Sequence, residues 1–109
     1  MDTVAWRSRV AFSDDKMKKV PLFESERMFC DVYCFRPGQE QRAHRHDESD
    51  KVYVVLEGSG TFRVGTEERE LQAGEAVFAP AGDEHGVRNT SAANLVVLVT
   101  MAPKPAPKL

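Results

Sequence analysis

Three histidines, His44, His46 and His85, supply all the imidazole in this 109-residue chain. His44 and His46 are separated by one residue, so on an extended strand both rings point to the same face. With His85 brought alongside from another strand, three neutral nitrogen donors could converge on one divalent ion. Protonated imidazole has no lone pair to give, so affinity for such an ion should fall as pH drops below about 6.5. Arg42 shares the parity of the two paired histidines. A regular strand therefore puts its guanidinium on the same face, either to grip a carboxylate with two hydrogen bonds or to reach outward into water. Lys51 and Tyr53 share a parity on the next apolar run, so both can face the same interior.

The elements that must position these groups read as short strands. Residues 4–12 form a leading strand, and Ser13-Asp14-Asp15 a turn. The run Lys16 to Lys19 is a solvated edge, and Val20 to Phe23 an edge strand on account of Pro21. Met28 to Arg36, Gln41 to His46 and Lys51 to Glu57 follow as strands rich in aromatic and β-branched residues. Gly58-Ser59-Gly60 turns the chain into Thr61 to Val64, and Arg69 to Gln72 returns. Glu75 to Pro80, a strand headed by His85, and the buried run Asn94 to Met101 complete the set. Nine or ten short strands with glycine turns predict an all-β barrel or jelly roll occupying residues 1–102. Residues 103–109, with alternating prolines, are expected to form a loose tail. No P-loop, dinucleotide fingerprint, serine elbow or internal repeat is present.

Two stretches resemble the motifs of the cupin family. The first, residues 38–58, runs Gly38, five residues, His44-x-His46, four residues, Lys51, six residues, Gly58. The second, residues 74–89, runs Gly74, five residues, Pro80-x-Gly82, two residues, His85, three residues, Asn89, and matches that family's pattern throughout. The resemblance implies a double-stranded β-helix, or jelly-roll barrel, with a mononuclear divalent metal (Fe, Mn, Ni or Zn) held by His44, His46 and His85. It also implies a homodimer formed through the sheets. Gly58, Gly74, Pro80 and Gly82 shape the backbone, and Asn89 is structural or supports a ligand from behind.

Lys51 stands where the family has a glutamate. An ammonium has donors and no lone pair, so it cannot coordinate a metal. Three readings follow: a three-histidine site with more open positions, ligation by Asp50 through a one-residue bulge, or a metal-free barrel in which Lys51 holds an anion. Beside a cation Lys51 would titrate low and could serve as a base, with Tyr53 and Arg42 also lining the catalytic pocket. The expected activity is that of a metal enzyme on a small polar molecule, either a dioxygenase or an isomerase or lyase. The alternative is a non-catalytic module that binds or senses a small ligand such as a sugar or an anion.

Bulk composition is that of an ordinary globular domain, 41% hydrophobic and 29% charged. A net charge of −2 gives no sign of nucleic acid or an anionic membrane as partner. The N-terminal residues lack the basic-then-apolar order of a signal peptide, so a cytoplasmic location is expected. Cys30 and Cys34 share a strand face about 13 Å apart, too far for a disulfide, and read as buried thiols or as one thiol near the metal site.

Overall fold

The computed structural model describes residues 1–105. Nine strands follow one another: β1 (Lys18–Glu24), β2 (Phe29–Phe35), β3 (Glu40–His44), β4 (Asp50–Glu57), β5 (Ser59–Val64), β6 (Glu67–Gln72), β7 (Ala76–Ala79), β8 (His85–Arg88) and β9 (Leu95–Ala102). They make two antiparallel sheets, one ordered β1-β2-β9-β4-β7 and the other β3-β8-β5-β6. This is the expected double-stranded β-helix. Strand alternation sends Tyr33 and Phe35 of β2, Tyr53 and Val55 of β4 and Leu95, Val97 and Val99 of β9 inward. There they pack against Phe62, Leu71 and Val87 of the second sheet.

The leading segment departs from expectation. Residues 4–12 pair with no strand, and Trp6–Arg9 is a short 3-10 helix. Ser8 closes that turn twice, its backbone N–H and its hydroxyl both donating to the Ala5 carbonyl at 3.0 and 2.6 Å. Trp6, Val10 and Phe12 lie instead over the outer face of the five-stranded sheet, against Val32, Cys34 and Val96. Alternating apolar residues can cover a sheet as readily as extend one, and local serine hydrogen bonds favoured the cover here.

Two glycines matter to the geometry. Gly58 has φ +81°, and a side chain there would run into the Asn94 carbonyl, so the β4–β5 turn is open only to glycine. Gly86 has ordinary φ, but a Cβ would come within 2.9 Å of the Ala43 nitrogen. It admits a bulge in β3, where pairing to β8 slips between Gln41 and His44.

At the C-terminal side the chain is tied down as far as it is described. The Ser49 hydroxyl donates to the Pro103 carbonyl at 2.6 Å, the Lys104 amide donates to the Arg27 carbonyl, and the Lys104 ammonium pairs with Glu24. The rest of the expected tail, 106–109, lies outside the described residues. Among the described residues no helix is long and apolar enough to cross a membrane.

Candidate metal centre

His44 ends β3 and His85 begins β8, and the two are directly paired across the strands. His46 follows in the loop, its carbonyl accepting from the Gly82 amide at 2.9 Å, which ties that loop to the turn preceding His85. The three ring centroids stand 4.4 Å (His44–His85), 5.0 Å (His44–His46) and 5.7 Å (His46–His85) apart. Nitrogens from all three lie within 4.8 Å of one another.

Two of the rings are oriented from behind. His44 Nδ1 contacts the Arg42 carbonyl at 2.8 Å, and His85 Nδ1 contacts the Asp83 carbonyl at 3.1 Å. A carbonyl can only accept, so Nδ1 carries the proton and Nε2 keeps its lone pair. His85 is 1% exposed, and its Nε2 is buried without a hydrogen-bond partner. A buried acceptor left in this way costs on the order of 1–3 kcal/mol, and a metal ion would satisfy it. Burial, then the nearby Lys51 and His44, push His85 down to about 4, against a smaller upward pull from the Asp83 carbonyl. Burial also lowers His44, with Lys51 and His46 adding to it and the Arg42 carbonyl opposing. His44 and His85 are therefore neutral near pH 7, the state that binds a metal. Donor type, tautomer and orphaned nitrogen all fit a divalent cation.

Lys51 points inward from β4 and is 1% exposed. Its Nζ sits 5.4 and 5.0 Å from the ring centres of Tyr33 and Tyr53, and 3.5 Å from Gln41 Oε1. Among the described residues no carboxylate lies within 4 Å of it. Burial chiefly, and then Lys19, bring its ammonium down to about 7, while Asp31 pulls the other way. Tyr53 is fully buried, its hydroxyl 3.4 Å from the same Gln41 oxygen and its ring 6.1 Å from that of His85. Burial first, and then Tyr33, raise its phenol well above the usual range.

Two expected site residues fall elsewhere. Arg42 does not share the inward face. The β3 bulge reverses parity, leaving its side chain 92% exposed and 3.9 Å from Glu40. Asp50 is no ligand-side residue either. The β4 ladder is regular across Asp50 and Lys51, so Asp50 points outward, and its carboxylate accepts from the Ala81 amide at 2.9 Å. It braces the turn before His85 from outside.

Three residues that were not singled out reach this interior. Gln41 occupies the place parity assigned to Arg42. Tyr33 and Asp31 share β2's inward parity, a signal that the alternation of Asp31, Tyr33 and Phe35 carried in plain view. Asp31 is raised by burial, then by Glu24, against Lys19 and Lys51. Cys30 and Cys34 are free and lie on β2's opposite face. Cys34 sits in the apolar layer under the N-terminal segment, and Cys30 meets the Thr100 hydroxyl at 3.6 Å. Asn89 is structural, donating to the carbonyls of Phe35 and Ala93 and accepting from Ser91.

Comparison with known proteins points one way. The family model described as "Cupin domain" matches residues 31–101. A crystal structure of TT1209 from Thermus thermophilus is 48% identical and superposes with a TM-score of 0.94, covering 96% of this chain and 100% of that one. The oxalate-binding protein of Thermotoga maritima is 28% identical over 65 residues, which is 60% of this chain and 54% of that protein. The tetracenomycin polyketide synthase protein TcmJ of Streptomyces glaucescens is 35% identical over 74 residues, 67% of this chain and 50% of that protein. The chain thus spans about half the length of these two curated relatives.

Proposed function

This chain belongs to the cupin family, and on that premise we propose that it is a mononuclear divalent-metal enzyme acting on a small polar molecule. His44, His46 and His85 would hold the ion. The observation that carries this reading is the buried, unpartnered Nε2 of His85, aimed where His44 and His46 also offer nitrogens. Three protein donors with no carboxylate in the fourth place leave positions for substrate, as catalytic rather than structural sites do. A bound ion would supply Lewis acidity or, if iron, redox chemistry toward oxygen. The chain's own part is to exclude water with Tyr33 and Tyr53 and to offer the Lys51 amine as the group that takes or returns a proton. Residues 1–102 are proposed to form the working barrel, in the cytoplasm.

Elemental analysis of protein purified without chelators tests the reading. Near-stoichiometric metal is expected in the wild type and loss of it in His46→Ala. Removing the metal should lower the melting temperature, since an ion at a hundred times its Kd adds about 2.7 kcal/mol. Iron, with oxygen uptake on a small substrate, would mark a dioxygenase; zinc or nickel would direct attention to isomerase or lyase chemistry. A protein that takes up no divalent metal, with a melting temperature indifferent to chelator, would sink it. Ligand binding without turnover would favour the second reading, a sensor, for which a lysine in place of a fourth ligand speaks.

A homodimer belongs to the same proposal. Phe23, Cys30, Thr100, Val52 and Phe78 stand side by side across the outer face of the five-stranded sheet, with Phe78 53% exposed. A second copy packing there would cover the row. Phe78→Glu should then shift the sedimenting species from dimer to monomer, and a wild type that sediments as a monomer would count against it.

A further inference from the structure

We infer that the small molecule taken by this site is a carboxylate, one of whose oxygens is held by Lys51 and Tyr53. The inference rests on the metal reading above and names its ligand class. Two observations carry it.

The first is donor supply. Lys51 Nζ has three N–H donors and Tyr53 one hydroxyl, and both aim at a single acceptor, Gln41 Oε1. The distances, 3.5 and 3.4 Å, are longer than a well-formed hydrogen bond of 2.7–3.2 Å. The Tyr33 hydroxyl also hydrogen-bonds the Gln41 side chain, and beyond the Tyr33 and Tyr53 ring faces the ammonium has no other partner among the described residues, so one amide satisfies these donors poorly. A ligand that brings acceptors and no protons answers that surplus, and an ionised carboxylate offers two acceptor oxygens, no donor, and charge-assisted hydrogen bonds.

The second is charge. The related motif puts a carboxylate where this chain has Lys51, so with Lys51 protonated the site here is two charge units more positive than one built with glutamate. Among the described residues no carboxylate comes within 4 Å of the ammonium to offset it. Asp31 acts on Lys51 only from farther off. A dication on the histidines would deepen the imbalance, and an anion lying between it and Lys51 would relieve both. The ligand must be small, because Lys51, Tyr53 and His85 are buried. On its outer side His46 lines an open depression of roughly 350 Å³ together with Arg45, Asp47, Glu48, Ser49 and Lys104.

The test is a titration of cobalt-loaded protein followed in the visible spectrum, with oxalate and acetate set against their neutral isosteres oxamide and acetamide. Wild type is expected to respond to the acids and not to the amides. Lys51→Met should keep its cobalt yet bind oxalate about tenfold more weakly or worse, the loss expected for a charge-assisted hydrogen bond. Lys51→Arg, which keeps the cation, should recover part of that loss. Equal response to acid and amide, or unchanged oxalate affinity in a cobalt-loaded Lys51→Met, overturns the inference. Should Lys51→Met fail to fold, the acid-against-amide contrast in wild type decides alone. Should no variant take up cobalt, the metal reading fails by itself. Calorimetry of oxalate with the metal-free protein then decides this one: heat lost in Lys51→Met upholds it, and no heat in wild type overturns it.

Discussion

The two ends of the barrel interior are built from the same strands and differ in what they cost. On β2 the inward residues run Asp31, Tyr33, Phe35, and on β4 they run Lys51, Tyr53, Val55. Both series pass from charge, through an aromatic ring carrying one hydroxyl, to pure hydrocarbon. β2 and β4 flank β9 and run in the same direction, and the gradients are offset by two residues: Asp31 and Tyr53 both face Val99, and Lys51 lies level with Phe29. At the apolar end Phe35, Val55, Phe62, Leu71 and Leu95 close the barrel. At the polar end sit three histidines, a buried lysine and an orphaned imidazole nitrogen. The apolar end supplies folding free energy through buried area. The polar end consumes some of it by stripping water from ionisable groups. A small fold carries such an expense only where the groups have a task.

Breaking the apolar end should have the largest effect. Phe62→Ala empties a site packed against the Tyr53 ring at 5.6 Å and should cost about 3–5 kcal/mol in denaturant unfolding. The metal bound per folded molecule should not change. Loss of metal in step with stability would show that the two ends are not separable.

The polar end should answer to pH instead. An unfolded lysine titrates near 10.5, whereas burial holds Lys51 down to about 7 in the native state. Between these values the unfolded chain binds the extra proton, so stability rises with pH across that window, and below it the full penalty stands. Metal-free wild type should therefore gain on Lys51→Met as pH climbs from 7 toward 10, by a few kcal/mol at most. Parallel melting curves for the two proteins over that range would refute the buried, depressed amine. The smallest effect belongs to Arg42→Ala. With its guanidinium in water, the substitution should stay within about 0.5 kcal/mol and leave metal content untouched. A marked loss of metal or ligand there would reinstate the inward orientation.

Much of this could be read from residue order. Histidine spacing and the glycine and proline turns carried the fold, and the parity of Lys51 and Tyr53 placed both inside. Arg42 failed because parity holds only along an unbroken ladder. The bulge that breaks it depends on Gly86, more than forty positions away, having no side chain. Asp50 failed for the opposite reason: its strand stayed regular where a bulge would have been needed. Residues 4–12 cover a sheet instead of joining one, because alternation reports an apolar face and not what that face rests upon. Asp31 and Tyr33 are legible by the same parity that carries Phe35 inward.

The hydrogen bond from Ser49 to Pro103 has a practical side. The loop bearing His46 is moored at Ser49 to the stretch just past the final strand, and through the Gly82 amide to the turn before His85. A change at Pro103 is therefore placed to strain the loop of His46 and, through it, the turn before His85, although it touches no ring.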